Sequence, residues 1–228
     1  MRQYPQFVFW FFAIGLAFIG VIAALAVRAA RKRTGELAAV AQQIGFSFVG
    51  NSWNGPVLSP LVKTSLLQRT RGKFCNAMTG SAGGLQTSLF DYNYGQGKSN
   101  VTLTLACFSQ NVELPPFELR PEGVLDRISD VIVHSDIDFD SHPEFSRRYL
   151  LRSPDEAGTR KLFAPGLLTY MEQIPSDKKW HIEANGMNLI VYRGGFPVKP
   201  QEIPAFLSET SAIARTIFAS AGVRVAGM

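Results

Sequence analysis

The chain opens on an unbroken apolar run and then changes to short alternations. Phe7 to Val27, FVFWFFAIGLAFIGVIAALAV, contains no charged residue. At 1.5 Å per residue a helix of that length covers about 31 Å, the thickness of a bilayer's hydrocarbon core, so the pattern predicts one N-terminal transmembrane helix. Ala24-Leu25-Ala26 has the form of a small-x-small cleavage site, but a signal peptide carries an apolar core of roughly 7 to 15 residues behind a basic start. Here the core is longer and only Arg2 precedes it. Beyond the run, Leu37, Val40, Ala41 and Ile44 recur at the spacing of one helical face, which predicts a helix continuing from the span and closing at Gly45. Phe46 and Phe48 begin an extended segment, and residues 51–60, with a glycine and two prolines, are expected as a loop.

Three strand-like runs follow, Phe74 to Met78, Leu85 to Tyr94 and Asn100 to Ser109, separated by glycine-rich connections of hairpin length. In Val101-Thr102-Leu103-Thr104-Leu105 apolar and polar positions alternate, so one sheet face is buried and the other is wet or covered by something polar. A short strand at Phe117 to Arg120, a brief helix near Gly123 to Asp130, and strands near Ile132 to Phe139 and Tyr149 to Arg152 extend this antiparallel meander. Ser153-Pro154-Asp155-Glu156 then predicts a helix capped by Ser153, with Pro154 in its first turn, running to Gln173 with an interruption near Pro165. Lys179 to Ala184 and Asn188 to Arg193 are expected to pair as a hairpin about Asn185-Gly186. A closing amphipathic helix covers Pro200 to Ala221. The expected fold is α+β, a mostly antiparallel sheet with helices packed on one face. The expected organisation is a membrane anchor with a basic patch at 1–33, a connecting helix and loop at 34–60, and an α+β domain at 61–228.

Charge changes the picture once it is placed. The net charge is +5, from 23 basic and 18 acidic residues. Residues 1–33 hold Arg2, Arg28, Arg31, Lys32 and Arg33 and no acid, which leaves 18 of each sign beyond them. The domain is therefore neutral overall and lacks the cationic excess of a nucleic-acid binder. Arg28, Arg31, Lys32 and Arg33 crowd the C-terminal end of the span, so the positive-inside rule places the N-terminus outside and the domain in the cytoplasm. These four cations are expected to lie against anionic lipid headgroups, at about 1 kcal/mol each near the surface. Gly20 and Ala24 form a small-xxx-small pair, a candidate for self-association through the span. Cys75 and Cys107, with no CxxC and no histidine at ligand spacing, read as reduced strand thiols.

The attractive motifs fail on their surroundings. Gly97-Lys98-Ser99 ends like a P-loop, yet Tyr92 stands where its first glycine belongs, and a strand follows in place of a helix. Thr79-Gly80-Ser81-Ala82-Gly83 is not a nucleophile elbow. In His134-Ser135-Asp136-Ile137-Asp138-Phe139-Asp140-Ser141-His142 three carboxylates alternate along the chain, a candidate divalent-cation cluster. The competing reading is an edge strand with Ile137 and Phe139 inward and the acids outward, where charge discourages edge pairing. An EF-hand is excluded, because Ser141 takes the glycine position and Arg147 the position of the bidentate acid.

Leu114 to Gly123 (LPPFELRPEG), Asp136 to Arg152 (DIDFDSHPEFSRRYLLR), Phe90 to Tyr94 and the span with its basic patch together resemble a family of uncharacterised bacterial membrane-anchored proteins. The resemblance implies a bacterial inner-membrane setting and no particular activity. Arg120, Arg147 and Arg148 are expected to pair with Glu118, Glu144 or the aspartate run. The reading that follows is a single-span protein whose cytoplasmic domain is a non-catalytic binding or assembly module with no cofactor. Tyr92, Tyr94 and Arg120 are its expected partner-binding residues, since Tyr and Arg are favoured in interfaces. The alternative is a metal-dependent or other hydrolytic enzyme built on Asp136 to His142.

Overall fold

A computed structural model describes residues 6–51, 64, 66–67, 70, 72–96, 99–122 and 136–222. Helix α1 (Gln6–Gln43) is a single element of 38 residues, so span and connecting helix are continuous as the periodicity predicts. It closes where Gly45 adopts φ +72, the left-handed conformation that a residue with a Cβ resists. From Trp10 to Val27 its large apolar side chains are mostly exposed, and it is long and apolar enough to cross a membrane. From Leu37 onward one face is buried in the domain core.

Six strands form one antiparallel sheet: β1 (Ser47–Gly50), β2 (Lys73–Ala82), β3 (Leu85–Gln96), β4 (Ser99–Pro121), β5 (Tyr149–Arg152) and β6 (Trp180–Arg193). Each of β1 to β4 pairs with the next, and β4 carries both β5 and β6. Glu118 and Leu119 pair with β5 and β6 at once, so these two strands lie on opposite edges of β4. Between the strands run α2 (Pro143–Arg148), α3 (Glu156–Leu162) and α4 (Pro165–Gln173), and α5 (Ile203–Ser220) closes the chain. Leu85, Leu89, Ala106, Phe108, Leu189 and Val191 line the sheet face covered by α1 and α5, together with Leu37, Phe206, Ile213 and Ile217. Phe90, Tyr92, Leu103, Leu105, Cys107, Ile190 and Tyr192 face the other way and pack with Leu66. Each Leu or Phe so buried contributes about 1.5–3 kcal/mol. The α+β class and the packing of the helices on one sheet face are as expected.

Three local expectations are corrected. Asn185-Gly186 does not turn a hairpin: β6 runs straight through it, with Gly186 at φ +59 opposite Leu114, where the β4–β6 register shifts. The positive φ that makes Asn-Gly a good turn also accommodates a bulge in a long strand. The strands expected separately at Asn100 to Ser109 and Phe117 to Arg120 are one 23-residue β4, and Pro115 and Pro116 sit within its register shift, where missing N–H groups interrupt no ladder bond. Ser153 does not cap the next helix; Asp155 does, accepting from Gly158 N at 2.9 Å. The interruption before Pro165 is observed, with Pro165 opening α4.

Residues 136–139 are not a strand, although Ile137 N donates to Leu151 O at 2.9 Å along β5. The expected helix at 123–130, the start of the strand at 132–135, His134, Gly97, Lys98 and the loop beyond residue 51 lie outside the described residues.

Candidate functional site

The most convergent polar chemistry lies where α1 meets the sheet. Arg33 stands four residues before Leu37, seven before Val40 and eight before Ala41, so it shares their helical face and is carried onto the sheet. On β3, Leu85, Thr87, Leu89 and Asp91 face the same side by strand alternation. Asp91 is thereby placed under α1, its side chain only 2% exposed.

The two groups meet fork to fork. Arg33 Nε donates to Asp91 Oδ2 and Nη2 to Oδ1, both at 2.8 Å. Asn76 Nδ2 gives Oδ2 a second bond at 2.9 Å, and Thr104 Oγ1 gives one to Oδ1 at 2.9 Å. The carboxylate thus accepts four hydrogen bonds, its full capacity. Thr104 Oγ1 in turn accepts from Val198 N at 3.0 Å and from Arg33 Nη2 at 3.3 Å. Arg33 Nη1 donates to Val198 O at 2.9 Å. Thr34, the next residue on α1, sets its hydroxyl 2.8 Å from Asn76 Oδ1. Asn76 itself has φ +53, in the bulge that shifts the β2–β3 register between Cys75 and Met78, and its backbone N–H is taken by Asn51 Oδ1 at 3.1 Å. The bulge turns the Asn76 side chain toward the carboxylate, a common use of such an irregularity.

This cluster is an anchor clamp. It joins α1, β2, β3, β4 and the segment after β6 through one buried ion pair, and it uses the polar alternation at Thr104 that the sequence marks. Arg33 is therefore not one of the headgroup cations expected there, because its guanidinium is consumed inside the domain. Arg28, Arg31 and Lys32 remain exposed, and Lys32 sits 3.7 Å from Glu36 one turn on.

The other expected site residues are dispersed. Tyr92 is 2% exposed, with its hydroxyl receiving Gly72 N at 2.9 Å and lying 2.9 Å from Thr70 Oγ1, so it holds the sheet's second face closed and presents no partner surface. Tyr94 is half-buried and stacks on Tyr92 at 5.6 Å. It borders a cleft of about 560 Å³ with Lys73, Cys75 and Asn93. Arg120 lies 4.0 Å from Glu118 near the end of β4, while Tyr94 pairs with Val101 near its start, so the two do not form one surface.

Within the aspartate run, Ile137 is buried and Phe139 packs against the core, while Asp138 and Asp140 are exposed. Asp136 Oδ1 accepts from Leu151 N at 2.9 Å, and burial pushes its carboxyl up to about 6, with Asp138 adding to the rise. His142 Nδ1 lies 3.2 Å from Glu172 Oε2, and Glu172 Oε1 receives Phe145 N at 3.1 Å. Arg147 pairs with Glu144, whereas Arg148 donates to the carbonyls of Glu172 and Ile174 at the end of α4. Among the described residues no three His, Cys, Asp or Glu side chains are grouped to hold a metal ion. The thiols are quiet: burial pushes Cys107 up to about 12, and burial with the Asp91 charge raises Cys75 against the pull of Arg33.

No family model and no curated protein matches this chain. Among solved structures, the crystal structure of the mycobacterial trehalose monomycolate transport factor A, TtfA, superimposes with a TM-score of 0.54 at 11% identity, covering 82% of this chain and 96% of that one. At that level of identity the likeness is one of fold, and the α+β architecture described above is the fold this chain shares with TtfA.

Proposed function

We propose that the protein is a single-span membrane protein whose domain is a non-catalytic docking module, an accessory subunit of a membrane assembly. The observation that carries this reading is the clamp. A linker that merely tethers a domain needs no buried ion pair, whereas α1 passes from the apolar span into the core without a break and is locked there by Arg33 and Asp91. Such a join holds the domain at one height and orientation above the lipid, which serves a partner that is itself in the membrane. The fold shared with a protein named as a transport factor supports the same reading. The exposed cations Arg28, Arg31 and Lys32 favour the cytoplasmic face of a bacterial inner membrane.

A photo-crosslinking residue in place of Tyr94 tests the reading in intact cells. The expected result is a discrete adduct with an integral membrane protein that is lost in Arg33→Met although that variant still reaches the membrane. An adduct indifferent to Arg33, or none from any position around the Tyr94 cleft, overturns it. A reporter fused after Met228 that is active only outside the cytoplasm should stay silent.

A further inference from the structure

Phe196 is 90% exposed, the most exposed large apolar side chain among the described residues, the span included. Single exposed apolar residues are ordinary on protein surfaces, so its meaning depends on where the fold puts it.

The direction of α1 over the sheet decides that. Thr34 touches Asn76 of β2, and further along the chain Phe46 lies against Gly80 of the same strand, where an added Cβ would fall within 2.5–2.8 Å of its ring. The helix therefore travels along the sheet from the Lys73 end of β2 toward the Ala82 end. Followed backward it leaves the sheet past the end that holds Lys73, Tyr94 and Asn100, and that end faces the membrane into which the span inserts.

Phe196 is at this same end. Tyr192 of β6 pairs with Leu105, and Val198 returns to bond Thr104 and Arg33, so residues 194–197 make an excursion outward from the sheet end and back. Gly195, at φ +104, shapes the turn. The following turn, Pro200–Glu202, packs against α1.

The distances agree. Arg33 lies six residues past Val27, about 9 Å along the helix axis. Its side chain leans back toward the helix N-terminus and hence toward the lipid. Two residues of chain from Val198 reach up to about 7 Å further. A headgroup layer is about 5–7 Å thick on each side of the hydrocarbon core. Phe196 thus stands within reach of the hydrocarbon boundary, at the end of the domain where α1 carries the exposed cations Arg28, Arg31 and Lys32.

We propose that the Gly194–Pro197 loop is a second membrane contact, with Phe196 inserted at the interface of the lipid bilayer that holds the span. Two glycines and a proline carry one aromatic ring outward, and among the described residues no protein surface covers the ring. Lipid completes it, as it does interfacial aromatic residues in general. The span and the loop together give the domain two points of attachment, which fixes rotation about the helix axis as the clamp fixes tilt.

This inference rests on the span being in the membrane, and the experiment separates the two. The full-length protein, in a Cys75→Ala background with Cys107 buried, carries an environment-sensitive fluorophore at Leu16→Cys, Phe196→Cys or Met187→Cys. It is reconstituted in vesicles of phosphatidylethanolamine and phosphatidylglycerol, with and without lipid bearing a nitroxide high on its acyl chain. Met187 is also exposed but lies on β6 next to Asn188, which pairs with Ser109 toward the far end of the sheet. The expected result is strong quenching at positions 16 and 196 and unchanged emission at 187. Quenching at 16 with none at 196 overturns the loop contact and leaves the anchor intact. Equal quenching at 196 and 187 also overturns the contact, because it would mean a domain lying on the membrane without a defined side. No quenching at 16 overturns the anchor and the loop contact together.

Discussion

Arg33 and Asp91 are 58 positions apart and meet face to face, whereas Asp136, Asp138 and Asp140 are close neighbours in sequence and converge on no common group among the described residues. The first pair is saturated by hydrogen bonds from β2, β4 and the segment after β6. In the second region each group is satisfied locally: Asp136 by the Leu151 N–H, and Glu172 by the Phe145 N–H beside His142. The contrast teaches that density of charge along a chain is a poor guide to chemistry. A carboxylate at an inward position of an alternating strand is a better one, because its burial obliges the fold to supply a cation and donors.

The largest effect is expected at the clamp. Arg33→Met leaves Asp91 buried with its cation removed, an expected loss of about 3–5 kcal/mol. Pairing it with Asp91→Leu should recover a large part of that loss, because the stranded charge is then gone; unfolding of the full-length protein in detergent by urea measures both. If the double variant were as unstable as the single one, shape at this contact would matter more than charge.

A smaller effect is expected at the periphery. Glu172→Ala removes the acceptor for Phe145 N and the partner of His142, at a cost of about 1–2 kcal/mol, read by the same unfolding titration. Asp136 adds a pH dependence. Its folded-state carboxyl is raised to about 6, whereas an unfolded aspartate titrates near about 3.9. The folded protein therefore holds this proton more tightly, and the stability that it brings is complete below the lower value and lost as pH rises through the upper one. Thermal unfolding should show a gain in stability between pH 7 and pH 5 that Asp136→Asn flattens. Smallest of all, Asp138→Asn with Asp140→Asn should change stability by less than about 0.5 kcal/mol, as befits exposed side chains away from any cap or core. A large loss there would restore the aspartate run as a built site.

Much of this arrangement was legible from pattern alone. The span, its continuation to Gly45, the strands β2 and β3, the first half of β4, the break at Pro165 and the closing helix all follow from periodicity and from glycine and proline chemistry. What escaped was non-local. Asn185-Gly186 signals a positive φ but not whether the chain reverses or only bulges, and the long partner β4 decides that. Tyr92 has the composition of a binding residue, and only the packing of Leu66 and Thr70 against it makes it structural. Arg33 reads as one more cation of a basic patch, because its partner lies on another element. The signal that finds it was present nonetheless: it falls on the apolar face of Leu37, Val40 and Ala41, and Asp91 falls on the inward face of Leu85 and Leu89. Neither position suits a charge unless the other answers it.

On the proposed reading, anchor and domain are one rigid unit through Arg33. Amide hydrogen exchange of the full-length protein in lipid nanodiscs tests it most directly, followed across residues 28–43. Protection that continues without a gap from the end of the span to Gln43, and that collapses around Arg33 in Arg33→Met while the sheet stays protected, is the predicted result. Fast exchange across 28–36 in the native protein would contradict it, since that stretch would then be a flexible tether and the domain would have no fixed attitude to the membrane.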